Sequence, residues 1–173
     1  MNEERIFEVK FDNYLRYKPL LKIEGTNVSG TKTTYNGAQI RISDKEHPLY
    51  FEFRDEIRAF VDEVLAKNNS KLKVVQNLSS WMVKYQKHGH QIPHKHGGSS
   101  GYDILSAVLC FNNTAEPIFF AECNGVEYKS CDYPGLLRIF NSSQISHCTG
   151  LTTKPRAVIV QDFLVTESQD DEI

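Results

Sequence analysis

The chain has 173 residues, 40% of them apolar and 24% charged, with a formal net charge of −2. That size suits one domain with its own core, and the near-neutral balance excludes a general electrostatic drive toward nucleic acid or an anionic membrane. No window approaches the roughly eighteen apolar residues of a membrane span, and the charged opening MNEERIFEVK lacks the apolar stretch of a signal peptide, so a cytoplasmic location is expected.

In chain order, residues 1–70 read as an N-terminal cover with one helix. Ile6 to Phe11 alternates weakly and Asn27 to Gly37 is rich in turn residues. Asp55 to Asn68 carries Ile57, Phe60, Val61, Val64 and Leu65 at helical spacing, with Asn68 and Asn69 as a stop. From Leu72 the period changes to short strands: Leu72–Gln76, Trp81–Gln86, Ile104–Phe111, Pro117–Glu122, Val126–Lys129, Leu136–Phe140, Ile145–Cys148 and Ala157–Val165. Between FFAEC and VEYKS, Asn124-Gly125 predicts a tight hairpin, because both central positions of a type I′ turn need positive φ. The acidic tail, residues 167–173, is expected to fray. The pattern predicts a single mainly-β domain with flanking helices, its core over 71–166 a double-stranded β-helix of the jelly-roll, cupin-like kind.

The chemistry concentrates in three histidines and an arginine. In PHKHGG, His94 and His96 sit two apart, so on a strand both face one ion while Lys95 faces away. His147 follows about fifty residues later and Arg156 nine residues after that. Neutral imidazoles bind Fe(II), Zn(II), Ni(II) or Cu(II), and three protein ligands leave positions open for other groups. A guanidinium in the same pocket can hold a carboxylate by paired hydrogen bonds. His88 and His90 repeat the spacing within a glycine-containing turn and read as loop or supporting residues, and His47 as a surface loop residue. Cys110, Cys123, Cys131 and Cys148 are irregularly spaced without a Cys-x-x-Cys pair, so they read as reduced thiols, Cys148 as a buried one. Arg138 reads as a partly exposed strand residue.

From Trp81 to Phe163 the chain resembles the Fe(II)/2-oxoglutarate-dependent oxygenase superfamily, especially its small bacterial and phage-type members. The segments that carry the resemblance are WMVKYQKHGHQIPHKH, SAVLCF, PGLLRIFNSSQISH and TTKPRAVIVQDF. It implies that His94, His96 and His147 bind iron, that Arg156 anchors the distal carboxylate of 2-oxoglutarate, and that Tyr85 lines the cosubstrate pocket. The implied reaction couples decarboxylation of 2-oxoglutarate to hydroxylation of an unidentified small-molecule or peptide substrate. Two departures stand out. The family pattern is His-x-Asp or His-x-Glu, whereas His96 puts an imidazole in the carboxylate position and removes a negative charge from the metal. Asp103 in the GGSSGYD loop is the alternative ligand. Val158 occupies a position where many members carry a small hydroxyl residue.

Two other classes fit the same residues. A cupin-type three-His dioxygenase would use the same ligands without 2-oxoglutarate. A non-catalytic β-sandwich module would use Trp81, Tyr85, Phe119 and Phe120 as core or, less commonly, sugar-stacking residues and hold no metal or only a structural ion. Oligomeric state is open, a homo-oligomer included.

Overall fold

The computed structural model describes residues 4–25, 27 and 33–168. In chain order the elements are β1 (Ile6–Lys10), α1 (Tyr14–Tyr17) with a 3-10 turn over Lys18–Lys22, β2 (Thr34–Arg41), α2 (Pro48–Lys67), β3 (Leu72–His94), β4 (Asp103–Cys110), β5 (Phe119–Cys123), β6 (Val126–Ser130), β7 (Leu136–Asn141), β8 (Ser146–Thr149) and β9 (Arg156–Glu167). The strands form one antiparallel sheet in the order β1-β7-β4-β9-β3-β8-β5-β6, with β2 also on β3. The sheet curls on itself. Phe119 of β5 and Phe140 of β7, far apart in strand order, pack together with ring centroids 5.4 Å apart. This is the double-stranded β-helix expected from the strand pattern.

Alternation decides what each strand of the larger layer presents. Leu105, Ala107 and Leu109 of β4, Leu137 and Ile139 of β7, and Ile159, Phe163 and Val165 of β9 pack with Tyr50, Phe53, Ile57 and Val61 of α2 in one apolar core. The intervening residues of β9, Arg156, Val158, Val160 and Asp162, line an internal cavity with Ser106 and Val108 of β4. Both faces are therefore covered, which accounts for apolar runs such as SAVLC and AVIV where an exposed sheet would show alternating polarity.

Strand β3 is the element that joins the layers. The two expected strands, Leu72–Gln76 and Trp81–Gln86, are one strand of 23 residues that continues to His94. It pairs with β9 from Leu72↔Glu167 to Tyr85↔Arg156, with bulges near Val74 and Asn77. Its end then pairs with β8, where His94 faces His147. The change of partner follows a local irregularity: His88 has φ +66°, and a Cβ on Gly89 would lie 2.7 Å from Asn36 O and 2.8 Å from Gln86 O. Only glycine fits there. His88 and His90 thus belong to a kinked strand rather than a turn, and His90 stacks on Tyr35, with centroids 5.1 Å apart.

The N-terminal third does more than cover the barrel. β1 extends the sheet beside β7, from Ile6↔Phe140 to Lys10↔Leu136, and β2 runs beside β3. Their half-buried, weakly alternating patterns concealed them in the sequence. Part of the turn-rich stretch expected over 27–37, residues 28–32, lies outside the described residues. Helix α2 starts at Pro48, not Asp55. The His47 ring caps it by accepting the Leu49 N–H at 3.1 Å, and Pro48 stands at the first helical position, where its missing N–H costs nothing. Asn124 and Gly125 have φ of +51° and +73°, and Cys123 pairs with Val126 across them, as the hairpin signal required. At the other end Glu167 belongs to β9, and Ser168 donates its N–H to Lys71 O at 2.7 Å. Residues 169–173 lie outside the described residues.

Phe163 is fully buried between the sheet and α2. Phe163→Ala should cost about 3–5 kcal/mol in a denaturant titration, because the helix and sheet cannot both close on the vacated volume.

Candidate metal centre and cavity

The kink in β3 and the return of β8 bring His94, His96 and His147 together. One ring nitrogen of each lies within 4.8 Å of the other two. Ring centroids are 4.3 Å apart for His94–His147, 5.2 Å for His96–His147 and 5.5 Å for His94–His96. Lys95 between them is exposed, as strand alternation predicts.

Which nitrogens are available follows from hydrogen bonding. His94 Nδ1 is 2.9 Å from Ile92 O and His147 Nδ1 is 3.0 Å from Ile145 O. His96 Nδ1 is 3.0 Å from Asp162 Oδ2. A carbonyl oxygen or carboxylate only accepts, so each Nδ1 carries the proton and each Nε2 keeps its lone pair. Three convergent Nε2 donors suit a borderline divalent ion such as Fe(II), Ni(II) or Zn(II). Burial pushes the His147 pKa down to about 3, with the neighbouring His94 adding to the shift, and burial also lowers that of His94. Both rings are neutral at physiological pH, the form that ligates.

Asp103, the alternative ligand, points elsewhere. Its Oδ2 accepts from Asn141 Nδ2 at 2.8 Å and Gln144 Nε2 at 3.1 Å, which ties the start of β4 to the end of β7 and the turn after it. Cys148 is half-buried rather than a core thiol, and all four cysteines are free. Burial raises the Cys110 thiol to about 12, assisted by Asp132, so it is not a nucleophile.

The same cavity, of about 570 Å³, holds Tyr85, Thr149 and Arg156 as well as the three histidines. Arg156 is nearly inaccessible. Its Nε donates to Asp132 Oδ2 at 2.5 Å, and its guanidinium carbon lies 5.1 Å from the centre of the Tyr85 ring. The Tyr85 hydroxyl donates to Thr149 Oγ1 at 3.2 Å. Asp132 Oδ1 also accepts from Arg138 Nη1 at 2.6 Å. Arg138, expected to be partly exposed, is fully buried. It also meets Glu8 Oε1 at 3.0 Å, Ser130 Oγ and Cys131 O, and so is fully occupied. One buried carboxylate thus serves two guanidiniums. Burial alone would raise the Asp132 pKa, but Arg156 and Arg138 together hold it below the usual carboxylate value. Among the described residues, Arg156 Nη1 is the buried side-chain polar atom left without a hydrogen-bond partner.

Residue spacing did not reveal Asp132 or Asp162. Asp132 precedes β7 in a loop, and only the fold places it under two arginines. Asp162 left a trace: it stands six residues after Arg156, on the same face of a largely apolar strand.

No protein-family model and no curated protein matches the sequence. Among solved structures, the chain is similar to a Pseudomonas putida prolyl-4-hydroxylase, with a TM-score of 0.68, 11% identity and 91% of each chain covered. It is similar to SnoN, a non-heme alpha-ketoglutarate-dependent epimerase from nogalamycin biosynthesis, with a TM-score of 0.70 and 13% identity over 92% of this chain and 76% of that one. HygX from Streptomyces hygroscopicus, solved with nickel and 2-oxoglutarate bound, gives a TM-score of 0.63 at 11% identity over 91% of this chain and 82% of that one. These likenesses establish a shared jelly-roll fold along nearly the whole chain.

Two outcomes follow. Asp132→Asn leaves the buried Arg156 guanidinium without its anion and Arg138 with Glu8 alone, and should destabilise the protein by about 3–5 kcal/mol, read by chemical denaturation. For His147 the folded pKa lies below the ordinary value of 6.5, so below that pH the unfolded chain takes up a proton that the folded one refuses. Stability of the EDTA-treated protein should be fully present above about pH 6.5 and fall as pH drops toward 3. Melting temperatures between pH 7.5 and 5 should therefore fall less in His147→Gln than in the wild type.

Proposed function

We propose that the protein is an Fe(II)- and 2-oxoglutarate-dependent oxygenase, a hydroxylase in which His94, His96 and His147 hold iron while Arg156 and Tyr85 hold the cosubstrate. The observation that carries this reading is the pairing, in one cavity, of three free Nε2 donors with a buried guanidinium N–H that has no partner. An unmet buried donor costs about 1–3 kcal/mol or more when it is charged, so its retention points to an anionic ligand. A dicarboxylate with a keto group next to one end satisfies both features: the keto-acid end can chelate a metal and the other carboxylate can take Arg156 Nη1. Glu8 serves Arg138, so the cationic surplus around Asp132 falls on Arg156. Val158 offers no hydroxyl to such a carboxylate, but Thr149, bonded to Tyr85, places one in the same cavity.

Iron bound with the keto acid would supply the oxidising chemistry. The chain's own work is placement. The Nδ1 hydrogen bonds fix each imidazole in its ligating tautomer, Asp132 holds Arg156 by Nε so that Nη1 is free, and Val83, Val108, Val158 and Val160 make part of the cavity wall apolar. The prolyl hydroxylase, epimerase and HygX named above support this reading by fold and, for the last two, by the cosubstrate in their descriptions. No helix among the described residues is long and apolar enough to cross a membrane. The free thiols support a cytoplasmic enzyme acting on a small molecule or peptide.

The all-imidazole donor set favours a second reading, a three-His dioxygenase that does not use 2-oxoglutarate. Anaerobic titration with Fe(II) and 2-oxoglutarate separates the two. The first reading expects a visible charge-transfer band on adding the keto acid. In Arg156→Ala the affinity for 2-oxoglutarate should fall about 10–100-fold, the value of one charge-assisted hydrogen-bonded pair, with Fe(II) binding retained. Iron binding without a band in the wild type would move the assignment to the second reading, and no iron binding would leave a non-catalytic module.

A further inference from the structure

We propose that Asp162 is the carboxylate of the metal centre, set one imidazole back from the ion, and that through His96 it tunes metal affinity and redox potential. This inference rests on the metal reading of the three histidines and deepens it.

The argument begins with charge. Three neutral imidazoles leave a divalent ion uncompensated in a partly closed cavity, where charge is costly unless paired. The nearest buried anion is Asp162. Its Oδ2 accepts from His96 Nδ1 at 3.0 Å, and the two side chains are only 9% and 14% exposed. Its Oδ1 accepts from Ser106 Oγ at 2.5 Å. Among the described residues no lysine or arginine pairs with Asp162, and His96 is its only ion-pair partner. A neutral ring alone is weak compensation for such a carboxylate. A cation on the other nitrogen of that ring would complete the pairing, with imidazole polarised between carboxylate and metal.

The three histidines differ in this respect. His94 and His147 donate to backbone carbonyls, which carry no net charge. Only His96 donates to a carboxylate, and His96 occupies the position that the His-x-Asp pattern gives to a carboxylate ligand. The charge missing from the ligand set is thus present one ring behind it. The arrangement is built on both sides of His96: Ser142 O accepts the His96 backbone N–H at 2.9 Å, and the Ser142 hydroxyl lies 2.8 Å from that of Ser106. Asp162 is therefore a positioning residue, since it acts on the metal through His96.

The test uses the full chain and the metal alone, without 2-oxoglutarate. Co(II) affinity and its visible spectrum, and the Fe(III)/Fe(II) midpoint potential, are measured for wild type, Asp162→Asn and Ser106→Ala. Asp162→Asn keeps the size but removes the charge, so Co(II) binding should weaken about 10–100-fold and the potential should become more positive. Ser106→Ala strips a hydrogen bond from the carboxylate and leaves more of its charge for His96, so the potential should move the other way. General loosening of the site would not shift the two variants in opposite directions. If wild type binds Co(II) but Asp162→Asn binds within twofold of it at an unchanged potential, the role of Asp162 is overturned and the metal reading stands. Should Asp162→Asn not fold, a Ser106→Ala potential that is unchanged or more positive overturns it equally. A wild type that binds neither metal overturns the metal reading itself.

Discussion

His94 stands across from His147 because one strand belongs to both layers of the barrel. For its first half β3 is held by β9, and after the kink at His88 and Gly89 its end is held by β8. A strand that stayed with β9 would carry His94 away from β8, and the three imidazoles could not converge. The close approach of Gly89 to the backbone of Asn36 and Gln86 thus contributes to the three-histidine cluster as much as the histidines themselves. The backbone also does the finer work: Ile92 O and Ile145 O, each two residues before the histidine it orients, leave the Nε2 atoms facing the cavity. Ligand geometry is written largely in main-chain hydrogen bonds.

Charge organises the rest of the cavity. Two buried carboxylates stand behind its two functional ends, and neither is available to a ligand in its own right. Asp132 grips Arg156 by Nε and leaves Nη1 unmet. Asp162 holds His96 by Nδ1 and leaves Nε2 unmet. In each case an anion engages one nitrogen of a cavity-lining residue and leaves another without a partner, a donor on Arg156 and an acceptor on His96. Desolvation works against both carboxylates, so each is retained only with the partner it orients. Val83, Val108, Val158 and Val160 line part of the volume between, where low local polarity strengthens both electrostatic ends.

Much of this was legible in the sequence, for definite reasons. Short apolar runs rich in β-branched residues and bounded by turns marked the barrel strands, and Asn124-Gly125 marked its hairpin because the turn demands positive φ. Strand alternation also put His94 and His96 on one side. The misses have equally definite causes. β1 and β2 lie half-buried at the margins of the layers, so their apolar pattern is weak. Residues 72 to 94 looked like two strands because bulges near Val74 and Asn77 interrupt the period without ending the pairing. Arg138 resembled an exposed strand residue because its partners, Glu8 and Asp132, lie far away in the chain or in a loop. Asp103 seemed a candidate ligand because a sequence cannot show that Asn141 and Gln144 already occupy it.

The strand RAVIVQDF joins the two ends and shows how a site can betray itself. Its odd-numbered positions, Ile159 and Phe163, satisfy the core against α2. Its even-numbered positions face the cavity, with two valines flanked by Arg156 and Asp162. A central strand built only for stability would fill that face with apolar side chains, since a buried charge is costly and a buried pair is often no better than a hydrophobic substitute. Local rules of burial tend to be broken where a protein works on something other than itself. Here the two breaks share one face of one strand, lie at opposite ends of it, and are opposite in sign. A polar ligand that spans a metal and an anion site requires that combination, and a structural core has no use for it.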